Sequence, residues 1–131
     1  MIKMITLIKR HPRITHEEFA DHWEKVHAPI AMNNPDIEKY IFRYTQNYLN
    51  SGSDVASQQF GGLALPAPPF DFDGIMEVWF ESMDDLKAMT SSPTYFNVLK
   101  PDEDSLVDKS KCLVYIVEEN TFIDKSKNIA Q

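Results

Sequence analysis

Positive charge and cysteine are both scarce in this sequence. Thirteen Lys and Arg stand against 20 Asp and Glu, a formal net charge of −7. A binder of phosphate backbones needs a basic face, so nucleic acid is excluded as the main partner. An anionic membrane surface is disfavoured for the same reason. The single cysteine, Cys112, cannot close an internal disulfide, which suits a reducing, cytoplasmic setting. There is no CxxC pair, and His11, His16, His22 and His27 lack H-E-x-x-H or comparable spacing, so no metal is expected. GxGxxG, P-loop and GxSxG motifs are absent too, and with them the usual signs of a bound cofactor or a serine nucleophile. No apolar run approaches a membrane span. The opening MIKMITLIKR is broken by Lys3 and Thr6 and does not read as a signal peptide.

What is present fits one domain over residues 1–131, with enough apolar residues (43%) to bury a core without staples. Residues 2–9 read as a strand with apolar residues on both faces. Thr15 and Glu18 have capping-box spacing and open a helix that should run to about Ala28, because Pro29 disfavours helical geometry at the residue before it. On that helix Phe19, Trp23, Val26 and Ile30 form one stripe. His27 falls on one edge of the stripe beside Trp23, and His22 on the other beside Val26. Residues 37–49 read as a second strand with an unusual row of tyrosines: Tyr40, Tyr44 and Tyr48 share a face with Phe42, while Arg43 lies opposite.

A connection of about twenty residues follows, at 50–71. It is polar at first and then apolar and proline-rich, and reads as a lid or binding loop. A third strand spans 73–81, with Glu77 in the middle of the face that also carries Ile75 and Trp79. Ser82 caps a short helix, a further helical turn carries Tyr95, Phe96 and Leu99, and 112–118 form a fourth strand. The tail is polar from about 120. The order β-α-β-β-α-β is the ferredoxin-like pattern: an α+β domain with a four-stranded antiparallel sheet and its helices on one face. Apolar residues on both faces of several strands require a second cover. A second copy of the chain is the simplest one, giving a dimeric α/β barrel and a homodimer.

The segment LIKRHPRITHEEFADHWEKVHAPIA, with K-R at 9–10, T-x-E-E-F at 15–19, H-W at 22–23 and V-H-x-P at 26–29, resembles the N-terminal signature of the EthD family. DFDGIMEVWFES resembles that family's second signature, and Ser92-Pro93 with Tyr95-Phe96 the segment after it. The chain looks most like fungal aromatic-polyketide members, which are decarboxylases or dehydratases working without a cofactor. The resemblance therefore implies a lyase acting on a small aromatic substrate. The rival readings are a cofactor-independent monooxygenase of anthrone-like substrates and a non-catalytic carrier of a hydrophobic ligand.

The V-H-x-P histidine of the family maps onto His27, and imidazole titrates near neutrality, which makes His27 the leading acid/base candidate. Its plainer reading is a cap on the last carbonyls of its helix. His22 is a second proton donor or a helix-edge residue. Glu77, a carboxylate on an apolar strand face, is the partner acid if it points inward, and otherwise an ion-pair partner of Arg43 or Lys9. Tyr40, Tyr44, Tyr48, Trp79, Tyr95 and Trp23 are candidates to line a slot for a flat substrate, with Arg43 available for a carboxylate. Ordinary interface packing would use the same aromatic residues.

Overall fold

The structure, a computed structural model, describes residues 1–49 and 72–128. The expected lid at 50–71 lies outside them. Four strands, β1 (Ile2–Ile8), β2 (Arg43–Tyr48), β3 (Gly74–Phe80) and β4 (Leu113–Glu118), form one antiparallel sheet in the order β2-β3-β1-β4. This is the ferredoxin-like arrangement that the order of elements implies. Among the described residues no helix is long and apolar enough to cross a membrane.

Alternation along the strands sorts the sheet into two faces. Ile8, Val78 and Phe80 point to one face and are buried under the helices with Phe19, Trp23 and Ile37. Leu7, paired with Ile75 and with Leu113, points to the other, as does Ile5, paired with Glu77 and with Tyr115. Among the described residues no helix covers that second face, and Leu113 and Tyr115 are exposed on it.

The helix α1 (His16–His22) starts where expected. The Thr15 hydroxyl accepts from the Glu18 N–H (3.1 Å), and Glu18 Oε1 accepts from the Thr15 N–H (3.0 Å). The expected stop at Pro29 is overturned. The chain passes through a wide π turn, Trp23–His27, and continues as α2 (Ala28–Met32). The Ala28 N–H donates to the Trp23 carbonyl five residues back, and this wider turn accommodates the proline. The second strand also begins later than expected. Pro35 opens a short helix α3 (Pro35–Glu38) that buries Ile37 completely, so Tyr40 is not on a strand.

The helix α4 (Met83–Thr90) is capped by Ser82, whose hydroxyl accepts from the Asp85 N–H (3.2 Å). A second π turn, Tyr95–Leu99, leads into α5 (Lys100–Leu106). The α5 helix lies against the α1–α2 rod, and that contact builds the site described below.

Two packing features hold the sheet to the first helix. A Cβ on Gly74 would stand 2.6 Å from the Trp23 ring, so the close approach of β3 to this fully buried tryptophan needs glycine there. Asp73, 2% exposed, accepts from the Arg10 backbone N–H (2.8 Å), the Arg10 guanidinium (2.8 Å) and the His16 ring (2.7 Å). Burial alone would raise its pKa, but the Arg10 and His16 contacts outweigh it and hold the carboxyl below the ordinary aspartate value. A depressed carboxyl contributes stability above the unfolded-state pKa and loses it as pH falls through the folded value. Asp73→Ala is therefore expected to cost about 3 kcal/mol in urea unfolding at neutral pH. The difference from the wild type should shrink as the pH falls below the ordinary aspartate range.

Candidate active site

Between the sheet and the helices lies a cavity of about 350 Å³. That is at the small end for ligand pockets. Its walls are mostly apolar side chains of β1 and β3, such as Met4, Met76 and Val78, with Ile37 and Leu99 from the helical side. Val114, 59% exposed on the edge strand β4, and Lys109 mark where the lining reaches the surface.

Among the polar side chains that line this space are His27, Glu103, Tyr44 and Tyr95. His27 sits at the end of the first π turn and is buried. Its Nδ1 is 2.7 Å from Asp102 Oδ2. A carboxylate accepts only, so in the neutral imidazole Nδ1 carries the proton and Nε2 keeps the lone pair. Asp102 comes from the first turn of α5, and its second oxygen, Oδ1, is 2.8 Å from His22 Nε2. One carboxylate thus holds two imidazoles.

Glu103, the next residue, turns the other way and lines the cavity. Burial pushes its pKa up, although the charges of His27 and Lys109 and the Tyr95 hydroxyl act against that. Oε2 accepts from the Tyr95 hydroxyl (3.3 Å), with Lys109 Nζ at 3.8 Å. Tyr95 itself is pushed up to about 12 by burial and by the Glu103 charge, so it stays a donor. On the sheet side, burial likewise raises Tyr44 to about 12. Its oxygen receives the Gln46 amide (2.9 Å) and is hydrogen-bonded by the Trp23 side chain. With two donors on its oxygen, Tyr44 keeps its own O–H as a donor.

Of the residues singled out from the sequence, His27, Tyr44, Tyr95 and Trp23 are brought together around the cavity. His22 stands behind the wall with its side chain 37% exposed and reaches the site only through Asp102. Tyr48 also stands behind. Its hydroxyl donates to Gln46 Oε1 (2.7 Å), the amide that orients Tyr44, and its ring meets Trp23 edge-on at 5.4 Å. Tyr40 packs against the core without lining the cavity.

Glu77, Trp79 and Arg43 are placed elsewhere, on the face of the sheet away from the cavity. Glu77 Oε2 pairs with Lys3 Nζ at 2.5 Å and Oε1 accepts from Asn47, and the Lys3 contact lowers its pKa. An ionised, ion-paired carboxylate cannot serve as an acid to a molecule on the far side of the sheet. Trp79 donates its indole N–H to Glu119 (2.9 Å), and the Arg43 guanidinium lies over its ring. Asp102 and Glu103 are the residues that sequence reasoning missed. The signal available was an Asp-Glu pair one helix past Tyr95, on the second helix that a ferredoxin-like chain lays beside the first.

A four-stranded antiparallel sheet in ferredoxin-like order, with an apolar cavity beneath its helices and a buried imidazole held by a half-buried carboxylate, defines a small α+β protein of the ferredoxin-like fold. The sequence model of the EthD domain matches residues 11–110, and the chain belongs to the EthD domain family. It is 26% identical over 124 residues to the conidial pigment biosynthesis dehydratase EthD of Metarhizium robertsii, covering 90% of this chain and 82% of that one. Among solved structures it resembles an EthD family protein of Bacillus halodurans, with a TM-score of 0.62 at 14% identity, over 92% of this chain and 99% of that one. A dimeric protein of ferredoxin-like fold from Bacteroides fragilis matches with a TM-score of 0.59 at 13% identity, over 90% and 95% of the two chains.

Proposed function

We propose that this protein is a dehydratase that removes water from a small, neutral, flat hydroxylated molecule of aromatic-polyketide type, using its own side chains as base and acid. The observation that carries the reading is the pairing of opposite proton habits in one cavity. His27 presents a free nitrogen, and Glu103 is biased by burial towards its protonated form. Removal of water needs both at once. His27 Nε2 takes the proton from the carbon beside a ring carbonyl. The electron pair moves to the carbonyl oxygen, where the Tyr44 O–H receives the developing charge. The C–O bond on the neighbouring carbon then breaks, and Glu103 gives its proton to the departing hydroxyl. A carbon–carbon double bond and one water result, and the His27 proton returns to Glu103 to reset the site.

Charge favours dehydration over the decarboxylation that the sequence left open. Among the described residues lining the cavity, Lys109 is the only lysine or arginine, and it is engaged with Asp104 (2.7 Å) and Glu103 (3.8 Å). A substrate carboxylate would meet Glu103 with no spare cation to hold it. Arg43, the residue offered for that task, lies across the sheet. The name of the Metarhizium robertsii relative points the same way.

The test is a matched pair of substrates: a fused-ring aromatic β-hydroxy ketone and the same molecule carrying a ring carboxylate. Loss of water from the neutral member alone supports the reading, and loss of carbon dioxide from the acid overturns it. Tyr44→Phe should slow dehydration about 10²-fold with little change in substrate affinity, measured as kcat against KM.

The working unit in this reading is a homodimer. Ile5, Leu7, Ile75 and Leu113 stand on the face that no described helix covers, and the buried Thr45 hydroxyl there has no partner within the described chain. The Bacteroides fragilis neighbour is itself dimeric.

A further inference from the structure

The two histidines that share Asp102 are five residues apart. In an α-helix that spacing places side chains about 140° apart around the axis, so they could not both reach one carboxylate. Tyr95 and Glu103 are eight apart, which would leave them about 80° out of line. Both pairs nevertheless meet, at 2.7 and 2.8 Å through Asp102 in the first case and at 3.3 Å in the second.

The cause lies in the π turns. A π turn takes in one residue more than an α turn, because its N–H bonds five residues back instead of four. Trp23–His27 lies between His22 and the end of His27, and Tyr95–Leu99 lies between Tyr95 and Glu103. One extra residue turns a spacing of five into an effective four, and eight into an effective seven. Four and seven are the spacings at which helix side chains share a face.

The same local sequence stands behind both turns. Each is followed by one residue and then a proline: Ala28-Pro29 and Lys100-Pro101. In each case the residue before the proline donates its N–H five back, Ala28 to the Trp23 carbonyl and Lys100 to the Tyr95 carbonyl. Proline has no N–H to give to the residue four back, and its ring crowds that residue's carbonyl. A wider turn relieves the crowding while the rod stays helical.

We propose that Pro29 and Pro101 are positioning residues, each enforcing the wide turn before it, and that each turn aligns a pair of site side chains that an α-helix would hold apart. The catalytic consequence rests on the dehydratase reading. The geometric claim does not, and it is tested without substrate.

The experiment follows the His22 and His27 imidazole N–H protons by NMR in the free protein, where a hydrogen bond to the Asp102 carboxylate moves them downfield and slows their exchange. In Pro29→Ala the turn should close to α, and at least one of the two signals should be lost. The melting temperature should fall, because the bond that is lost is one to the Asp102 carboxylate. If the pair's signals survive unchanged in Pro29→Ala, the proposal is overturned. Deleting the exposed Lys25 together with Pro29→Ala gives the two histidines true four-residue spacing on an α-helix, and should bring both signals back. A folded double variant without them also overturns the proposal, and this arm decides even if Pro29→Ala alone fails to fold. Pro35→Ala, at the first turn of α3 where proline is ordinary, should leave both signals in place. If the signals behave as expected but no variant or wild-type protein dehydrates any substrate, the function reading fails and the positioning role stands.

Discussion

Turnover in His27→Ala should fall by about 10³-fold, with the fold retained. His27 presents the only imidazole among the described residues lining the cavity, and Nε2 is the nitrogen left open by the Asp102 bond. Without it no base is placed at the substrate carbon. Asp102→Asn gives a more discriminating version of the result. The amide can donate to Nδ1, which would move the proton to Nε2 and leave no lone pair facing the cavity. Substrate affinity should change little and kcat should fall by about 10²-fold, because Asp102 acts through His27. A His27→Ala protein with full turnover would remove the mechanism.

Glu103→Gln should be equally inactive, losing about 10²- to 10³-fold in turnover, but with the opposite signature in stability. Burial raises the Glu103 pKa. In the window between the ordinary glutamate value and the raised one, the native state holds a proton that the unfolded state has released. Stability therefore declines as pH rises through that window. Glutamine cannot ionise, so the variant should lack that decline and unfold at an equal or higher temperature at neutral pH. In the wild type the acid form persists to higher pH than an ordinary glutamate would allow, and activity should fall on the alkaline side as Glu103 ionises. A variant that keeps its turnover while His27→Ala loses it would point to decarboxylation, which needs only one proton donor at the ring.

Much of the fold was legible because it rests on local rules. Short apolar runs mark β1, β3 and β4, the Thr15–Glu18 box marks the first helix, and Ser82 marks the helix after β3. The errors came from proline. Pro29 reads as a helix stop by its dihedral preference, yet the chain absorbs it in a π turn, and Pro35 starts a helix where a strand was expected. The site was half legible for the same reason. His27, Trp23, Tyr44 and Tyr95 could be named from residue type and resemblance.

Strand alternation separates the two faces of a sheet but does not say which one the helices cover. Glu77, offered as an acid only if it points inward, stands with Trp79 and Arg43 on the face away from the cavity. Asp102 and Glu103 stayed hidden because acidic residues early in a helix read as partners of its dipole, and because their spacings make sense only once each π turn is counted.

The central claim is that one cavity removes water by a base and an acid of its own. It is tested most directly by mass spectrometry of fused-ring β-hydroxy ketones incubated with the wild-type protein and with Glu103→Gln, in air and without oxygen. The account predicts loss of water at the same rate in both atmospheres with the wild type, and almost none with the variant. Gain of oxygen in air, or water loss that Glu103→Gln leaves untouched, would contradict it.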